Sequence, residues 1–453
     1  MIIATLLVLM SLALGLAGPN PRCKSTTDPP WGGILGPSQA SLPAPRGGVI
    51  WQSDLNQAMR EAQDEGRPLF VTMRCLPCNQ CADFDKDVLE GGPDLGPLLA
   101  QFVTVRLTDA GVFDLNLFPV RGFQDLDMSW WGWFMSPKGE VYGVFGGRDE
   151  VSDTTRISKA ALINTLKRVL DHHYDPRRAQ WGIDGAAPRL EAEPTFPQQL
   201  PGYESWYERG HPEVRRQDCL HCHQIVEVLR QPAIDAGRFD GERDLDMWPL
   251  PENVGISVDR DHGLLVTTVE PESPASRAGI QAGDVLAAAG GRKLFGQADL
   301  RGVLHRGPRG AGRISIRWFR QGELMEGFLD LSDGWRTTVL DWRTSVAQGN
   351  IGVGPGFWPL GAPADQRRRR GIAADAMAVR PWFGEKPSGA AFNAGVRPND
   401  IIVAVDGERP NLIARSFLVW FRLRHERGDQ VTLSVVDPRG ETRRITYALG
   451  RKQ

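Results

Sequence analysis

Cys75-Leu76-Pro77-Cys78-Asn79-Gln80-Cys81 lies between an apolar, strand-like run, Pro68 to Met73, and a helix-like run, Ala82 to Leu89. A thiol placed where a strand hands over to a helix meets the unsatisfied N–H groups of the first helical turn, which favour the thiolate. One cysteine can then attack a disulfide and the next can resolve it, so the segment points to thiol–disulfide exchange. Two overlapping C-x-x-C pairs are present. Cys78 with Cys81 places the resolving thiol directly before the helix pattern, with Cys75 as a second partner. Cys75 with Cys78 keeps a proline between the two thiols, and both registers stay open.

The elements around the motif follow a definite order. Leu55, Ala58, Met59 and Ala62 recur at helical spacing before Gly66, and Leu69-Phe70-Val71 reads as a buried strand. Phe102 to Val105 is a second strand. Trp133-Phe134-Met135 and Val141 to Phe145 flank a Pro137-Lys138-Gly139 turn as a hairpin, and Ile157, Ala161, Leu162, Leu166, Val169 and Leu170 mark a closing amphipathic helix. This pattern resembles the thioredoxin superfamily, particularly exported members with an acidic, aromatic helix after the motif, as in Ala82-Asp83-Phe84-Asp85. The resemblance implies a thioredoxin-like α/β domain over 45–175, with Cys78 as nucleophile and Cys81 as resolving thiol. It departs from the family at the strand before the hairpin, where Ser129, Trp130 or Trp131 stands in place of the usual cis-proline.

A chain of 453 residues is too long for one ordinary core, and about 150 residues per domain suggests several units. The formal net charge of −2, with dispersed basic residues, excludes the footprint of a nucleic-acid binder. Arg367 to Arg370 reads as a solvated loop. Ile2 to Ala17 is a continuous apolar run ending in small residues, which predicts a signal peptide over 1–17, a disordered linker over 18–44, and export to the periplasm or cell envelope. An uncleaved anchor is the rival reading and would bring membrane association, although the run is shorter than the ~20 residues that span a bilayer. Six cysteines are too few for a disulfide scaffold. Five of them fall in two short motifs, and Cys23 stands alone without a lipidation signal.

The second motif is Cys219-Leu220-His221-Cys222-His223, in a stretch (176–248) whose start reads as a Pro-, Ala- and Gly-rich linker. C-x-x-C-H is the attachment signature of c-type haem, both thiols adding to vinyl groups and the histidine ligating iron. Cys219, Cys222 and His223 are then the cofactor residues, with Met247 as second axial ligand and His211 or His221 as alternatives. A zinc or copper site, a second redox disulfide and a structural disulfide are open readings of the same residues.

Ser273-Pro274-Ala275-Ser276-Arg277-Ala278-Gly279-Ile280-Gln281-Ala282-Gly283-Asp284-Val285 recurs as Ser388-Gly389-Ala390-Ala391-Phe392-Asn393-Ala394-Gly395-Val396-Arg397-Pro398-Asn399-Asp400-Ile401, so a module is duplicated, over 249–335 and 371–450, with 336–370 as connector. The repeat resembles bacterial PDZ domains, which add an extended peptide to a sheet edge beneath a loop of backbone N–H groups. By that resemblance the peptide-binding residues are Gly255, Ile256 and Ser257 in the first copy and Gly371 and Ile372 in the second. No Gly-x-Ser-Gly-Gly motif accompanies the repeat, so a trypsin-like protease is not expected.

The fold class that follows is multidomain α+β: a thioredoxin-like α/β domain, a short CxxCH segment and two β-rich PDZ-like domains. The combination resembles a family of bacterial thioredoxin/PDZ (seleno)proteins, some of which are thought to carry selenocysteine where this chain has cysteine. It implies an exported redox protein that binds a protein or peptide through its PDZ copies and exchanges electrons with a redox partner. A c-type haem electron-transfer protein and a non-catalytic adaptor are the alternatives.

Overall fold

The computed structural model describes residues 49–73, 89, 93–118, 120–123, 125–127, 130–146, 158–183, 195–208, 220–245, 248–347, 349, 351–412 and 414–450. The expected signal peptide and linker, Cys75, Cys78, Cys81, Cys219, His211 and Met247 lie outside them. Among the described residues no helix is long and apolar enough to cross a membrane.

The first unit is a five-stranded sheet in the order β1-β3-β2-β4-β5. Its strands are β1 (Trp51–Gln52), β2 (Leu69–Met73), β3 (Val103–Leu107), β4 (Trp131–Met135) and β5 (Val141–Gly146). β1 and β2 both run parallel to β3, while β4 is antiparallel to β2 and β5 to β4. Helix α1 (Leu55–Glu65) begins at Asp54, whose side chain accepts from the Gln57 N–H, and ends at Gly66 in the left-handed conformation, so both termini carry the expected caps. Helix α2 (Lys159–Tyr174) closes the unit.

All five residues of β2, β3 and β4 are buried, because alternate side chains face two separate cores. Leu69, Val71, Met73, Trp131 and Trp133 join one core with α1. Phe70, Phe102, Trp130 and Phe134 join the other with Leu162, Leu166 and Val169 of α2, and the Phe70 and Phe134 rings stack at 4.8 Å.

The segment that carries the second cysteine motif completes the first of these cores. Helices α3 (Tyr203–Glu208) and α4 (Cys222–Asp235) bring Trp206, Leu220, Cys222, Ile225 and Val228 onto the face that carries Trp131. Segment 195–235 is in its described parts a layer of the first unit.

The first repeat contains β6 (Ile256–Val258), β7 (Val266–Val269), α5 (Pro274–Ala278), β8 (Val285–Ala289), β9 (Arg292–Lys293), α6 (Gln297–Arg306), β10 (Gly312–Arg320) and β11 (Glu323–Leu331). These strands form a β6-β7 pair and a β11-β10-β8-β9 sheet. A short helix, α7 (Thr344–Ala347), precedes the second repeat. That copy has β12 (Trp358–Gly361), α8 (Ala364–Arg369), β13 (Val379–Trp382), α9 (Ala390–Asn393), β14 (Ile401–Val405), α10 (Ala414–Arg422), β15 (Gln430–Val436) and β16 (Thr442–Ala448), with all five strands in one sheet. The shared Asp of the repeat is structural in both copies. Asp284 accepts from the Gln281 N–H and Asp400 from the Arg397 N–H, and Arg320 and Arg443 close the two turns through these carboxylates.

β5 is an edge strand of the first sheet, and exposed edges invite pairing with other chains. Here the first repeat covers it. The Val144 N–H donates to Asp299 Oδ1 at 2.8 Å and Arg292 donates to the Val141 carbonyl at 3.1 Å. From α2, Arg168 donates to the Phe295 and His262 carbonyls.

Candidate functional site

Strand β2 ends at Met73, two residues before Cys75, so the chain enters the first cysteine motif from the C-terminal end of a fully buried central strand. Met73 pairs with Trp131. The Trp131 indole N–H donates to Cys222 Sγ at 3.3 Å, and Cys222 is the first residue of α4. The second cysteine motif is thereby anchored at the same end of the sheet from which the first departs.

Three groups fix this corner. Asp109, just beyond β3, accepts from the Gly111 N–H at 2.7 Å and from the Leu220 N–H. Burial pushes its carboxyl above the usual range although both N–H groups pull it down. Glu227, one turn along α4 from His223, accepts from His223 Nδ1 at 3.2 Å and from the Trp206 indole N–H at 3.0 Å. Burial raises the Glu227 carboxyl, but His223, Arg230 and Trp206 outweigh it and hold the group below its ordinary value. The His221 and His223 rings stack at 5.6 Å.

Cys222 is 8 % exposed, inside a core with Leu220, Ile225 and Trp131. The His223–Glu227 pair is the kind of carboxylate contact that orients a ligating imidazole. Among the described residues, however, no group of three or more His, Cys, Asp or Glu side chains is gathered to hold a metal.

In the first repeat, Gly255 takes φ 79° immediately before β6, a conformation that glycine adopts without steric cost. Ile256 pairs with Val269 and Ser257 with Thr268 on one side of β6, and among the described residues no strand pairs with its other side. In the second repeat, Gly371 and Ile372 are not in the corresponding place. They follow α8, where the Ile372 N–H donates to the Arg367 carbonyl and the Arg367 guanidinium donates to the carbonyls of Ala373, Ala374 and Ala376. The counterpart of Gly255 is Gly356, at φ 82° just ahead of β12. The signal was Gly354-Pro355-Gly356-Phe357, which echoes Val254-Gly255-Ile256 on the far side of the α8 insertion. The arginine run proves to be the end of α8, with Arg369 paired to Asp365 and Arg370 donating to the Asn399 and Val436 carbonyls.

Comparison with known proteins agrees with the two kinds of unit. A family model described as thioredoxin-like matches residues 50–118, and a PDZ domain model matches residues 265–311. The chain therefore contains a thioredoxin-like domain and a PDZ domain. No curated protein matches. Among solved structures, the serine endoprotease from Yersinia pestis aligns at 21 % identity over 18 % of this chain and 28 % of its own, with a TM-score of 0.16. An HtrA-type protease, AlgW, with decapeptide aligns at 15 % identity over 38 % of this chain and 55 % of its own, with a TM-score of 0.19. The same protease with tripeptide aligns at 14 % identity over 38 % and 60 %, with a TM-score of 0.20. The chain thus spans between about a quarter and three fifths of the length of these structures.

Proposed function

We propose that this chain is an exported thiol–disulfide redox protein that works in the periplasm or cell envelope and holds a protein partner through its PDZ modules. The observation that carries the reading is the thioredoxin-like match over residues 50–118, in which buried β2 runs directly into Cys75-x-x-Cys78-x-x-Cys81. The Cys78 thiolate attacks a substrate disulfide, forms a mixed disulfide and expels one substrate thiolate, which takes up a proton. The Cys81 thiolate then attacks Cys78 Sγ and releases the second substrate thiolate. The substrate leaves reduced by two electrons and the protein leaves as the Cys78–Cys81 disulfide, which a dithiol redox partner must reduce before the next turn. The C-x-x-C spacing of Cys75 and Cys78 makes Cys75 the second partner in the overlapping register.

What counts against the second motif is burial, because a thiol in apolar surroundings loses reactivity and Cys222 lies in such surroundings. The test is reduction of a small disulfide-bonded peptide by the prereduced chain. Cys78→Ser is expected to abolish turnover, and Cys222→Ser to leave it near wild type. Wild-type turnover in Cys78→Ser would overturn the assignment.

A further inference from the structure

The first PDZ copy is already engaged by its own chain. Its groove helix, α6, divides into three stripes. Leu300, Val303 and Leu304 face the core of the repeat. Asp299 and Arg306 face the first unit, through the Val144 N–H and the Gly122 carbonyl. The third stripe contains Arg301 and His305. In the second copy the core residues of the matching helix are Phe417 and Phe421, so Leu418 and Arg422 are the counterparts of Arg301 and His305. Both lie within 4.0 Å of where a side chain on Gly354 would begin, in the loop before the groove strand. The third stripe is therefore the side of the helix that faces the carboxylate-catching loop.

In the first copy that side is covered. Arg301, 2 % exposed, donates to Asp125 Oδ2 at 2.8 Å. Arg343 clamps the same carboxylate with two hydrogen bonds of 2.8 Å, and Asp127 accepts from the Ser345 N–H and hydroxyl at 2.7 Å each. Trp248 lies flat on His305 at 3.9 Å. Asn253, in the loop itself, donates to the Trp335 and Thr337 carbonyls at 2.9 and 2.7 Å, and Arg336 reaches the Leu304 carbonyl at 3.2 Å. Segment 335–337 thus straps the loop to the C-terminal end of α6.

We infer that the first PDZ copy is closed in the resting chain and acts as the joint between the thioredoxin-like unit and the second copy, accepting a free C-terminal peptide only after the strap 335–337 and Trp248 are released. The inference rests on the PDZ half of the proposed function and not on the redox half. Peptide-disulfide turnover by Cys78 is the separate readout that tells the failure of one from the failure of the other.

The test is hydrogen exchange and fluorescence anisotropy on the full chain, with labelled decapeptides ending in a free carboxylate and an apolar residue. Amidated copies of these peptides serve as controls. In the wild type the peptides are expected to leave the exchange of the Ile256–Val258 amides unchanged. In Trp248→Ala, and in Asn253→Ala, which removes two of the strap's hydrogen bonds without breaking the buried ions, affinity should rise by on the order of tenfold or more, as the competent fraction rises, with new protection at Ile256–Val258. Peptide protection of these amides in the wild type overturns the inference. So does the absence of any gain in both variants while their circular dichroism stays native.

Discussion

The two repeats share a signature and differ in what their helices do. Both have a glycine in the left-handed region before the groove strand, a short helix ending at Ala-Gly, and a buried aspartate closed by an arginine. In the first copy the groove helix carries Asp299, Arg301 and Arg306 and is spent on contacts to the thioredoxin-like unit. In the second, α10 is apolar, with Phe417, Leu418, Val419 and Phe421 buried. It packs against β12, and its Val419 joins Ala347 of α7 in a small separate core. The repeated residues therefore encode the scaffold, and the unshared residues of one helix decide what each copy is attached to.

The most severe way to break this comparison is to remove Arg343. Asp125 is fully buried, and burial alone would raise its carboxyl, but Arg343 and Arg301 hold it below its ordinary value. Arg343→Ala leaves a buried carboxylate half-paired and is expected to cost about 3–5 kcal/mol, read as a fall in the denaturation midpoint. The arginine that serves the repeat's own turn is the counterpart. Arg443 is 41 % exposed, so Arg443→Ala should cost only about 1 kcal/mol or less. Equal losses would mean that the joint carries no special load.

The paired glycines sharpen the same contrast. Gly356→Ala must adopt a left-handed backbone, at about 1–2 kcal/mol, with its new methyl 3.4 Å from Ala391 Cβ. Gly255→Ala bears the same strain and would also drive its methyl into the Ser273 side chain, so its midpoint should fall further than that of Gly356→Ala.

A smaller effect separates the copies by pH. Asp299 has no acidic counterpart in α10. Burial raises its carboxyl to about 6, against the pull of the Val144, Phe295 and Gly296 N–H groups and of Arg292. A carboxyl raised on folding favours the fold when protonated. Its contribution is complete below the unfolded value of 3.8 and is lost as pH rises through about 6. Melting curves of the wild type minus those of Asp299→Asn should therefore show relative stability gained on acidification between these limits. A flat difference would mean that Asp299 titrates alike in both states.

Much of the thioredoxin-like unit could be read from the chain, because β2, β3 and the hairpin are short apolar runs punctuated by Gly66, Pro137 and Gly139, and the helices keep their apolar spacing. The repeats were legible because the second copy vouches for the first. The role of 195–235 was not. The C-x-x-C-H motif draws attention to ligand chemistry, while the burial of Cys222 against Trp131 depends on a residue 91 positions away. Nothing local marks Asp125 as the partner of Arg301 and Arg343, which stand 176 and 218 residues further on. The second groove strand was missed for a local reason. Trp358-Pro359 reads poorly as a strand because proline cannot donate to a ladder, and the α8 insertion leaves Gly371 and Ile372 as the apparent counterpart.

The central claim, that Cys78 attacks and Cys81 resolves, is tested most directly by trapping the covalent intermediate. The reduced Cys81→Ser chain is mixed with a disulfide-bonded peptide, quenched with an alkylating agent and mapped by mass spectrometry. The account predicts a mixed disulfide on Cys78, absent from the Cys78→Ser,Cys81→Ser double variant. No adduct at all, or an adduct on Cys222, would contradict it.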